Sequence, residues 1–346
     1  MVLLRDGAPR GPDKSIADLL SPHIVVPSRF LAAQFAYLRR TLELRGCWCD
    51  RLRVAYRGVR LLTTYALFES AFRLTGNQSR SDGRTCVLVL LSHNRPQNLS
   101  LLVASALRTR FINSIVVSNS NPAVKITDWV STSDSRVVLI DQGKPTSPGH
   151  RFVLASRQGG RYFMSVDDDI ILRPRQFAAL FDHLVGEERV PHGLVGGLYR
   201  ARTSATGRPF EHVRRMETEV DILIGAYAFT REHLQRLFDL VHLLRLGDLT
   251  NIHGEDILLS FCGISRPRIH NVGIVLRCCS DKLPGIALWK TRPNFFDERV
   301  RLFRRARNAR LSMGSPWLSE ASPEIRGTLP PPALGGDGEN QKQCSD

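Results

Sequence analysis

The stretch Cys86 to Leu91 reads CVLVLL, a short and wholly apolar run that is followed by polar residues and a proline. Similar runs follow at Ser114 to Val117 (SIVV), Arg136 to Ile140 (RVVLI) and Tyr162 to Val166 (YFMSV), and helical segments separate them. Continuous apolar strands that alternate with helices are typical of a parallel sheet covered on both faces. The sequence therefore predicts an α/β fold that binds ligands at the carboxyl ends of its strands.

Helical periodicity fills the intervals between and after these strands. The predicted helices are Gln97 to Arg108, Gly149 to Arg157, Pro174 to Val185 and Arg231 to Leu244. Thr230 is a suitable N-cap for the last of them. A further strand is predicted at Ile222 to Phe229, and the arginine-rich run Arg299 to Arg310 predicts a helix with a solvated face.

Composition divides the chain into three parts. Residues 1–82 contain two stretches rich in Leu, Ala and Arg, Ser28 to Gly46 and Leu52 to Thr75, that predict an N-terminal extension of two amphipathic helices. Their Arg-rich faces suit either packing on the main domain or weak contact with a membrane surface. Gly76 to Gly83 has the composition of a linker, so we expect the main domain to span 83–315 and a disordered tail to span 316–346.

The 346 residues carry a formal charge of +15, yet only six of the 48 basic residues are lysines, and the arginines are spread along the chain. The charge favours anionic partners and leaves a basic nucleic-acid-binding protein as an alternative, although no basic stripe supports it. No apolar run approaches the length of a membrane span, and Met1 to Arg10 carries charges where a signal peptide is apolar. We expect a cytoplasmic protein. The seven cysteines lack paired spacing, which argues against a disulfide framework or a cysteine zinc site.

The segment Met164 to Ile170, MSVDDDI, carries a buried strand directly into three aspartates. Carboxylates gathered at one strand end repel one another and need either a cation or solvent. Because residues i and i+2 of an extended segment point the same way, we expect Asp167 and Asp169 to bind Mn²⁺ or Mg²⁺ and to leave coordination positions for a diphosphate. A solvated turn is the alternative.

The order of motifs resembles nucleotide-sugar glycosyltransferases with the GT-A fold, in particular family 2 and the exostosin-like family 64. The motifs that carry the resemblance are SHNRPQNL (Ser92 to Leu99), VVSNSNP (Val116 to Pro122), MSVDDD, IGAYAF (Ile224 to Phe229) and HGEDILLSF (His253 to Phe261). The resemblance covers about residues 86–300. It implies a Rossmann-like, mainly parallel sheet flanked by helices, and it implies that Asp168 and Asp169 contact the metal and the ribose.

The resemblance also implies a donor site. Ser92, Asn94 and Arg95 follow the first strand, where the family binds the base and diphosphate, although a polar strand-to-helix turn is the alternative. Asn119 or Asn121, after the second strand, where the family more often has an acid, is expected to bind the uracil or ribose. Arg151 begins a helix beside the base, where free backbone N–H groups attract anions, and a surface role is its alternative.

Three later residues are weaker candidates. His270 is a candidate for a further metal ligand, with a structural histidine as the alternative. Trp289 is expected to stack on a sugar ring, unless it packs in the core, and Lys290 is expected to reach the leaving diphosphate.

The acids of the HGED motif are the candidates for catalysis. In an inverting GT-A enzyme the acid at this point is the general base, so we assign that role to Asp256 and the holding of acceptor hydroxyls to Glu255. In the retaining family 64 the corresponding acids lie by the reacting carbon without acting as a simple base. A helix N-terminus with dipole-stabilised acids is the alternative.

The sequence thus predicts a metal-dependent glycosyltransferase that moves a hexose, with glucose preferred, from a UDP-sugar to an acceptor hydroxyl. We favour inversion, because no second nucleophile candidate lies beside the acidic cluster. The expected acceptor is a small soluble metabolite such as a cyclitol or an aminocyclitol antibiotic precursor. A transferase for cell-envelope polysaccharide or glycolipid is the alternative. A nucleotidyltransferase is disfavoured, since the chain lacks a Gly-rich triphosphate loop.

Overall fold

The computed structural model describes residues 82–200, 209–277 and 287–312, together with isolated helical positions between residues 32 and 63. The predicted tail, almost all of the predicted linker and most of the two N-terminal helices lie outside the described residues. The three-part division of the chain therefore stays a prediction.

Strands and helices alternate through the described ranges. The strands are β1 (Cys86–Ser92), β2 (Ile112–Asn119), β3 (Val137–Asp141), β4 (Tyr162–Asp167), β5 (Ile170–Ile171), β6 (His192–Gly193), β7 (Val195–Tyr199), β8 (Phe210–Arg214), β9 (Thr218–Glu219), β10 (Ile222–Leu223), β11 (Ala226–Thr230), β12 (Arg268–Ile269) and β13 (Leu276–Arg277). The α-helices are α1 (Leu99–Leu107), α2 (His150–Ser156), α3 (Pro174–Gly186), α4 (Arg231–Leu243), α5 (Glu255–Ser260), α6 (Leu288–Thr291) and α7 (Phe295–Ser312). Short 3-10 helices span Pro96–Asn98, Ile126–Asp128 and Leu249–Asn251.

The central sheet has eight strands in the order β3-β2-β1-β4-β11-β6-β12-β9. Its first four strands are parallel, and β11 then pairs with β4 in the antiparallel direction. The parallel register places Ser92 beside Asn119 and Leu91 beside Asp167, so the polar residues after β1, β2 and β4 meet at one edge. The predicted α/β class with a mainly parallel sheet is confirmed.

Helices cover both faces of this sheet, as continuous apolar strands require. On one face α1 and α3 form a core in which the rings of Phe111 and Phe181 stack at 4.7 Å. On the other face α2, α4, α5 and α7 form a second core, where Phe163 stacks on Phe229 with 5.6 Å between ring centroids. The Thr230 side chain accepts a hydrogen bond from the backbone N–H of His233, so the predicted cap of α4 is confirmed.

The single strand predicted at Ile222 to Phe229 is instead two strands in two different sheets. β10 pairs with β7 in a three-stranded sheet, whereas β11 belongs to the central sheet. The chain breaks at Gly225, which has φ +78°, and a Cβ there would lie 2.6 Å from Ile170 Cδ1. The Gly225 carbonyl accepts a hydrogen bond from the Asp167 N–H at 2.7 Å, so this break holds the end of β4 in place.

Helix α7 confirms the helix predicted in the arginine-rich run, but its inner face is buried. Leu302, Phe303 and Ala306 pack in the second core, and Arg299 lies on the same face. The prediction of a solvated face is thus wrong at Arg299. Within the described ranges, no helix is both long enough and apolar enough to cross a bilayer.

Gly149 lies just before α2 and packs closely against the backbone at Leu249. A Cβ at Gly149 would lie 2.3 Å from the backbone oxygen of Leu249, so Gly149→Ala must displace backbone. We expect a loss of about 1–3 kcal/mol in the free energy of unfolding, measured by urea denaturation. The matched control is Gly143→Ala, whose new Cβ would meet nothing within 4 Å and should change stability by less than about 0.5 kcal/mol. Equal stability of the two variants would contradict this packing.

Candidate active site

A cavity of about 1040 Å³ lies at the carboxyl ends of β1 and β4 and at the start of α5. The predicted site residues that line it are Ser92, Asn94, Arg95, Arg151, Asp167, Asp168, Asp169, Glu255, Asp256 and Trp289. Most of the residues predicted from separate motifs are therefore brought together. Asn119 and His270 are not part of this lining.

Asp168 is held by residues at the end of β1 and just after it. The Arg95 guanidinium donates to Asp168 Oδ1 at 2.8 Å and lies 3.8 Å from Asp169 Oδ2. The Ser92 hydroxyl donates to Asp168 Oδ2 at 3.2 Å, and the side-chain amide of Asn98 donates to the Asp168 backbone oxygen. The Asp168 carboxylate is thus occupied and buried, whereas the Asp169 side chain is 30% exposed.

Arg151 joins the aspartate cluster to the HGED motif. Its side chain is buried and donates to Asp167 Oδ1 at 2.8 Å, while its Nε lies 3.7 Å from Glu255 Oε1. Desolvation by the surrounding protein raises the pKa of Asp167 above its ordinary value, and the charge of Arg151 lowers it only in part. Arg151 therefore neutralises acids of both motifs, a role that the sequence analysis did not assign to it.

Asp256 is paired with Arg299, a residue that the sequence analysis did not single out. The guanidinium of Arg299 contacts both oxygens of Asp256, at 2.9 and 2.8 Å, and Oδ1 also accepts from the Ile257 N–H. Such a two-point pair leaves Asp256 poorly placed to take a proton from an acceptor. One signal could have found Arg299, because it stands three, four and seven residues before Leu302, Phe303 and Ala306, on the apolar face of α7.

Glu255 is buried, and its pKa is raised to about 7. Desolvation is the largest cause, the adjacent charge of Asp256 also raises the pKa, and Arg151 opposes both. The Glu255 Oε2 accepts from the Gly254 N–H at 3.2 Å, and Oε1 lies 3.5 Å from the Tyr227 hydroxyl. A carboxyl with a pKa near neutrality is suited to exchanging a proton.

Asp167, Asp168 and Asp169 form one wall of the cavity, here named the aspartate wall. This wall has the chemistry of a site for a hard divalent cation. The side chains of Asp167 and Asp169 are 38% and 30% exposed, and carboxylate oxygens are the ligands that Mn²⁺ and Mg²⁺ prefer. A Cβ at Gly225 would lie 3.6 Å from Asp167 Oδ2, so the absence of a side chain there leaves this carboxylate oxygen without a covering group from Gly225. The residues present fit an ion held by two aspartates and completed by diphosphate oxygens.

The remaining predicted residues lie elsewhere or serve the fold. The Asn119 side-chain nitrogen is 2.9 Å from Asp141 Oδ1 and 3.0 Å from the Asn121 backbone oxygen, so it organises the loop after β2. His270 lies beside His192 and lines a second cavity of about 190 Å³, away from the aspartates. Trp289 is 37% exposed at the cavity rim, and Lys290 falls in α6 with its side chain outside the described residues.

The raised pKa of Glu255 predicts a pH-dependent contribution to stability. The folded protein keeps a proton that the unfolded chain releases above its ordinary pKa of 4.5, so the contribution is fully present below pH 4.5 and is lost as the pH rises through 7. Relative to wild type, Glu255→Gln should therefore gain on the order of 3 kcal/mol between pH 4 and pH 8. Urea denaturation across this range measures it, with the exposed Glu219→Gln as control. Parallel pH profiles of wild type and Glu255→Gln would contradict the burial of this charge.

Comparison with known proteins connects this site to a family. The model of the glycosyl transferase family 64 domain matches residues 85–291. Among solved structures, CMP:2-keto-3-deoxy-manno-octonic acid synthetase complexed with CTP aligns with 14% identity and a TM-score of 0.37 over 55% of this chain and 91% of its own. S. aureus TarS 1-349 aligns with 11% identity and a TM-score of 0.39 over 65% of each chain. No curated protein matches. Because the family model spans more than half of the sequence, the chain belongs to glycosyl transferase family 64, and it is a glycosyltransferase.

Proposed function

We propose that this nucleotide-sugar glycosyltransferase moves a hexose, with glucose as the expected sugar, from a UDP-hexose to a hydroxyl of a small acceptor. The observation that carries the proposal is Arg151, which contacts Asp167 and also lies near Glu255. Asp167 of the MSVDDD motif and Glu255 of the HGED motif therefore lie within the reach of one side chain. The surrounding cavity, of about 1040 Å³, is large enough for a nucleotide sugar and an acceptor together.

The donor diphosphate would lie against the aspartate wall. Asp167 and Asp169 would hold Mn²⁺ or Mg²⁺, and such an ion offsets negative charge on a leaving diphosphate when bound. Arg95 lies between Asp168 and Asp169 and supplies a second positive charge at this wall. The side chains of Ser92, Arg95 and Arg151 then act mainly by holding the acids in position.

The reaction breaks the bond between the anomeric carbon and a diphosphate oxygen and forms a bond from that carbon to the acceptor oxygen. The sequence analysis favoured inversion with Asp256 as the base. Because Arg299 engages both Asp256 oxygens, we propose retention instead, the outcome that the family 64 resemblance implies. In this mechanism the Asp256 carboxylate, held by Arg299, stabilises positive charge on the sugar, and the departing diphosphate oxygen takes the acceptor proton.

One side of the cavity is lined by aromatic residues, and we assign this side to the acceptor. Trp289, Phe295 and Phe296 all line it, with 6.4 Å between the rings of Trp289 and Phe296 and 5.4 Å between those of Phe295 and Phe296. Aromatic faces pack against the C–H surfaces of sugar and cyclitol rings and leave the hydroxyls free for hydrogen bonds. This supports the expected small cyclitol-like acceptor, with Glu255 holding its hydroxyls.

Calorimetric titration with UDP, with and without Mn²⁺, tests the donor site. We expect UDP to bind in the presence of Mn²⁺, and to bind more tightly than GDP or a DNA duplex. Asp169→Asn should weaken Mn²⁺-dependent UDP binding at least tenfold, because it removes a charged ligand, whereas Asp256→Asn should keep donor binding and lose turnover. Glu219→Gln on the surface is the control, and circular dichroism checks that each variant is folded. Binding of DNA alone, indifferent to Mn²⁺, would contradict the proposal.

The anomeric configuration of the product tests the mechanism. UDP-glucose carries an α-linked sugar, so retention should give an α-linked product, which proton NMR identifies from the small coupling between H1 and H2. Arg299→Met should lower turnover by at least tenfold, since it leaves the Asp256 charge buried and unpaired. A β-linked product would instead show inversion and would make Glu255 the base.

A further inference from the structure

A cluster of three potential ligands lies away from the aspartate wall. His183 is in the last turn of α3, Glu217 lies between β8 and β9, and His270 follows β12. One ligand atom from each lies within 4.8 Å of the other two. His270 is buried, His183 is half-buried, and the Glu217 side chain is 57% exposed.

Hydrogen bonds define which nitrogens in this cluster carry protons. His192 Nε2 lies 2.7 Å from the Glu187 backbone oxygen, which can only accept, so this nitrogen carries a proton. The His192 ring is 1% exposed and its nitrogens contact a carbonyl and an imidazole, so a neutral ring is favoured. Its Nδ1 then accepts the proton of His270 Nε2 across 2.8 Å.

This arrangement leaves a lone pair on His270 Nδ1 whenever the ring is neutral. Nδ1 faces Glu217 Oε2 at 2.5 Å, and the other oxygen, Oε1, accepts from the Asn271 N–H at 2.8 Å. A carboxylate oxygen and a bare imidazole nitrogen repel each other at this distance. A proton therefore lies between them at this distance, and a metal ion bound by both atoms would replace this proton and widen the pair to about 3 Å.

A second imidazole lies beside this pair and supplies a third potential ligand. The rings of His183 and His270 are stacked, with 3.6 Å between centroids and 11° between planes. A proton joins only His270 and Glu217, whereas a metal ion would take a third ligand from His183, whose ring must turn out of the stack to direct a nitrogen at the same ion. A ligating histidine commonly donates its other N–H to a partner that fixes its orientation, as His270 does to His192.

We propose that His183, Glu217 and His270 form a second metal site, for zinc or a similar ion that prefers nitrogen ligands, separate from the Mn²⁺ or Mg²⁺ site expected at the aspartates. Two imidazoles and one carboxylate are a common ligand set for Zn²⁺, with water or another ligand in the fourth position. The ion joins α3 to the segments that follow β8 and β12, so it stabilises this edge of the domain.

Nearby arginines shape what the ion can bind. His270 also lines the cavity of about 190 Å³, together with Arg60, Arg214, Arg215 and Arg277. Their positive charge opposes a bare divalent cation, so the negative charge of Glu217 is essential to the site. The same charge favours hydroxide or a small anion as the fourth ligand.

The test is a titration of chelator-treated full-length protein with Zn²⁺ alone, followed by calorimetry, together with the visible absorption of the Co²⁺-loaded protein. We expect one equivalent of Zn²⁺ to bind tightly and the Co²⁺-loaded protein to show a spectrum typical of four-coordination. The midpoint temperature of thermal unfolding should rise on adding Zn²⁺. His183→Ala and Glu217→Gln should each weaken Zn²⁺ binding at least tenfold. These variants change less buried side chains than His270 and should fold.

Two controls separate this site from others in the chain. Glu219→Gln, at an exposed acid two residues from Glu217, and Asp169→Asn at the aspartate wall should leave Zn²⁺ affinity unchanged. Absence of Zn²⁺ binding in wild type would overturn the proposal and would indicate a protonated His270 paired with Glu217. Binding that survives in both His183→Ala and Glu217→Gln, or that is lost in a Cys278→Ser and Cys279→Ser double variant alone, would also overturn it.

Discussion

The candidate active site depends on the neutralisation of carboxylates that the fold gathers at one edge of the sheet. Asp167 ends β4 and Asp168 and Asp169 follow it, while Glu255 and Asp256 begin α5, and all five line the same cavity. Each arginine that neutralises them comes from another element: Arg95 from the loop after β1, Arg151 from α2 and Arg299 from α7. The ion pairs therefore hold five separate segments around the cavity. The charge balance of the site and the position of its walls depend on the same contacts.

These pairs also set what a ligand must do on arrival. A buried ion pair gives little net stability, but removal of one partner leaves an uncompensated charge that costs about 3–5 kcal/mol. A divalent cation bound by Asp167 and Asp169 would neutralise Asp169 in place of Arg95. The Arg95 guanidinium could then contact a diphosphate. Arg299 has no such alternative partner among the acids of the aspartate wall, so it stays with Asp256. The ion pairs at the aspartate wall can thus change partners when a donor and its ion bind, whereas the pair of Arg299 with Asp256 stays as it is.

The sequence predicted what depends on local pattern and missed what depends on distant partners. Apolar runs identified β1 to β4, and a three-aspartate strand end identified the cavity wall. Arg299 was hidden because it opens an arginine-rich run and finds its partner 43 residues away in the chain. Asn119 has the right type for a base contact, yet its amide holds its own loop. The break at Gly225 was missed because the apolar residues on either side of it continue without interruption, and only pairing with β7 separates them.

The chemistry of the ligand atoms distinguishes the two proposed ion sites. The aspartate wall offers oxygen alone, and a diphosphate adds more oxygen, so this site suits ions that exchange ligands readily and keep some water. The cluster of His183, Glu217 and His270 offers two imidazole nitrogens and sits outside the lining of the donor cavity. Zinc binds nitrogen donors more strongly than manganese or magnesium does, so it would collect at the histidines. The protein can then keep a structural ion and a catalytic ion without either one displacing the other.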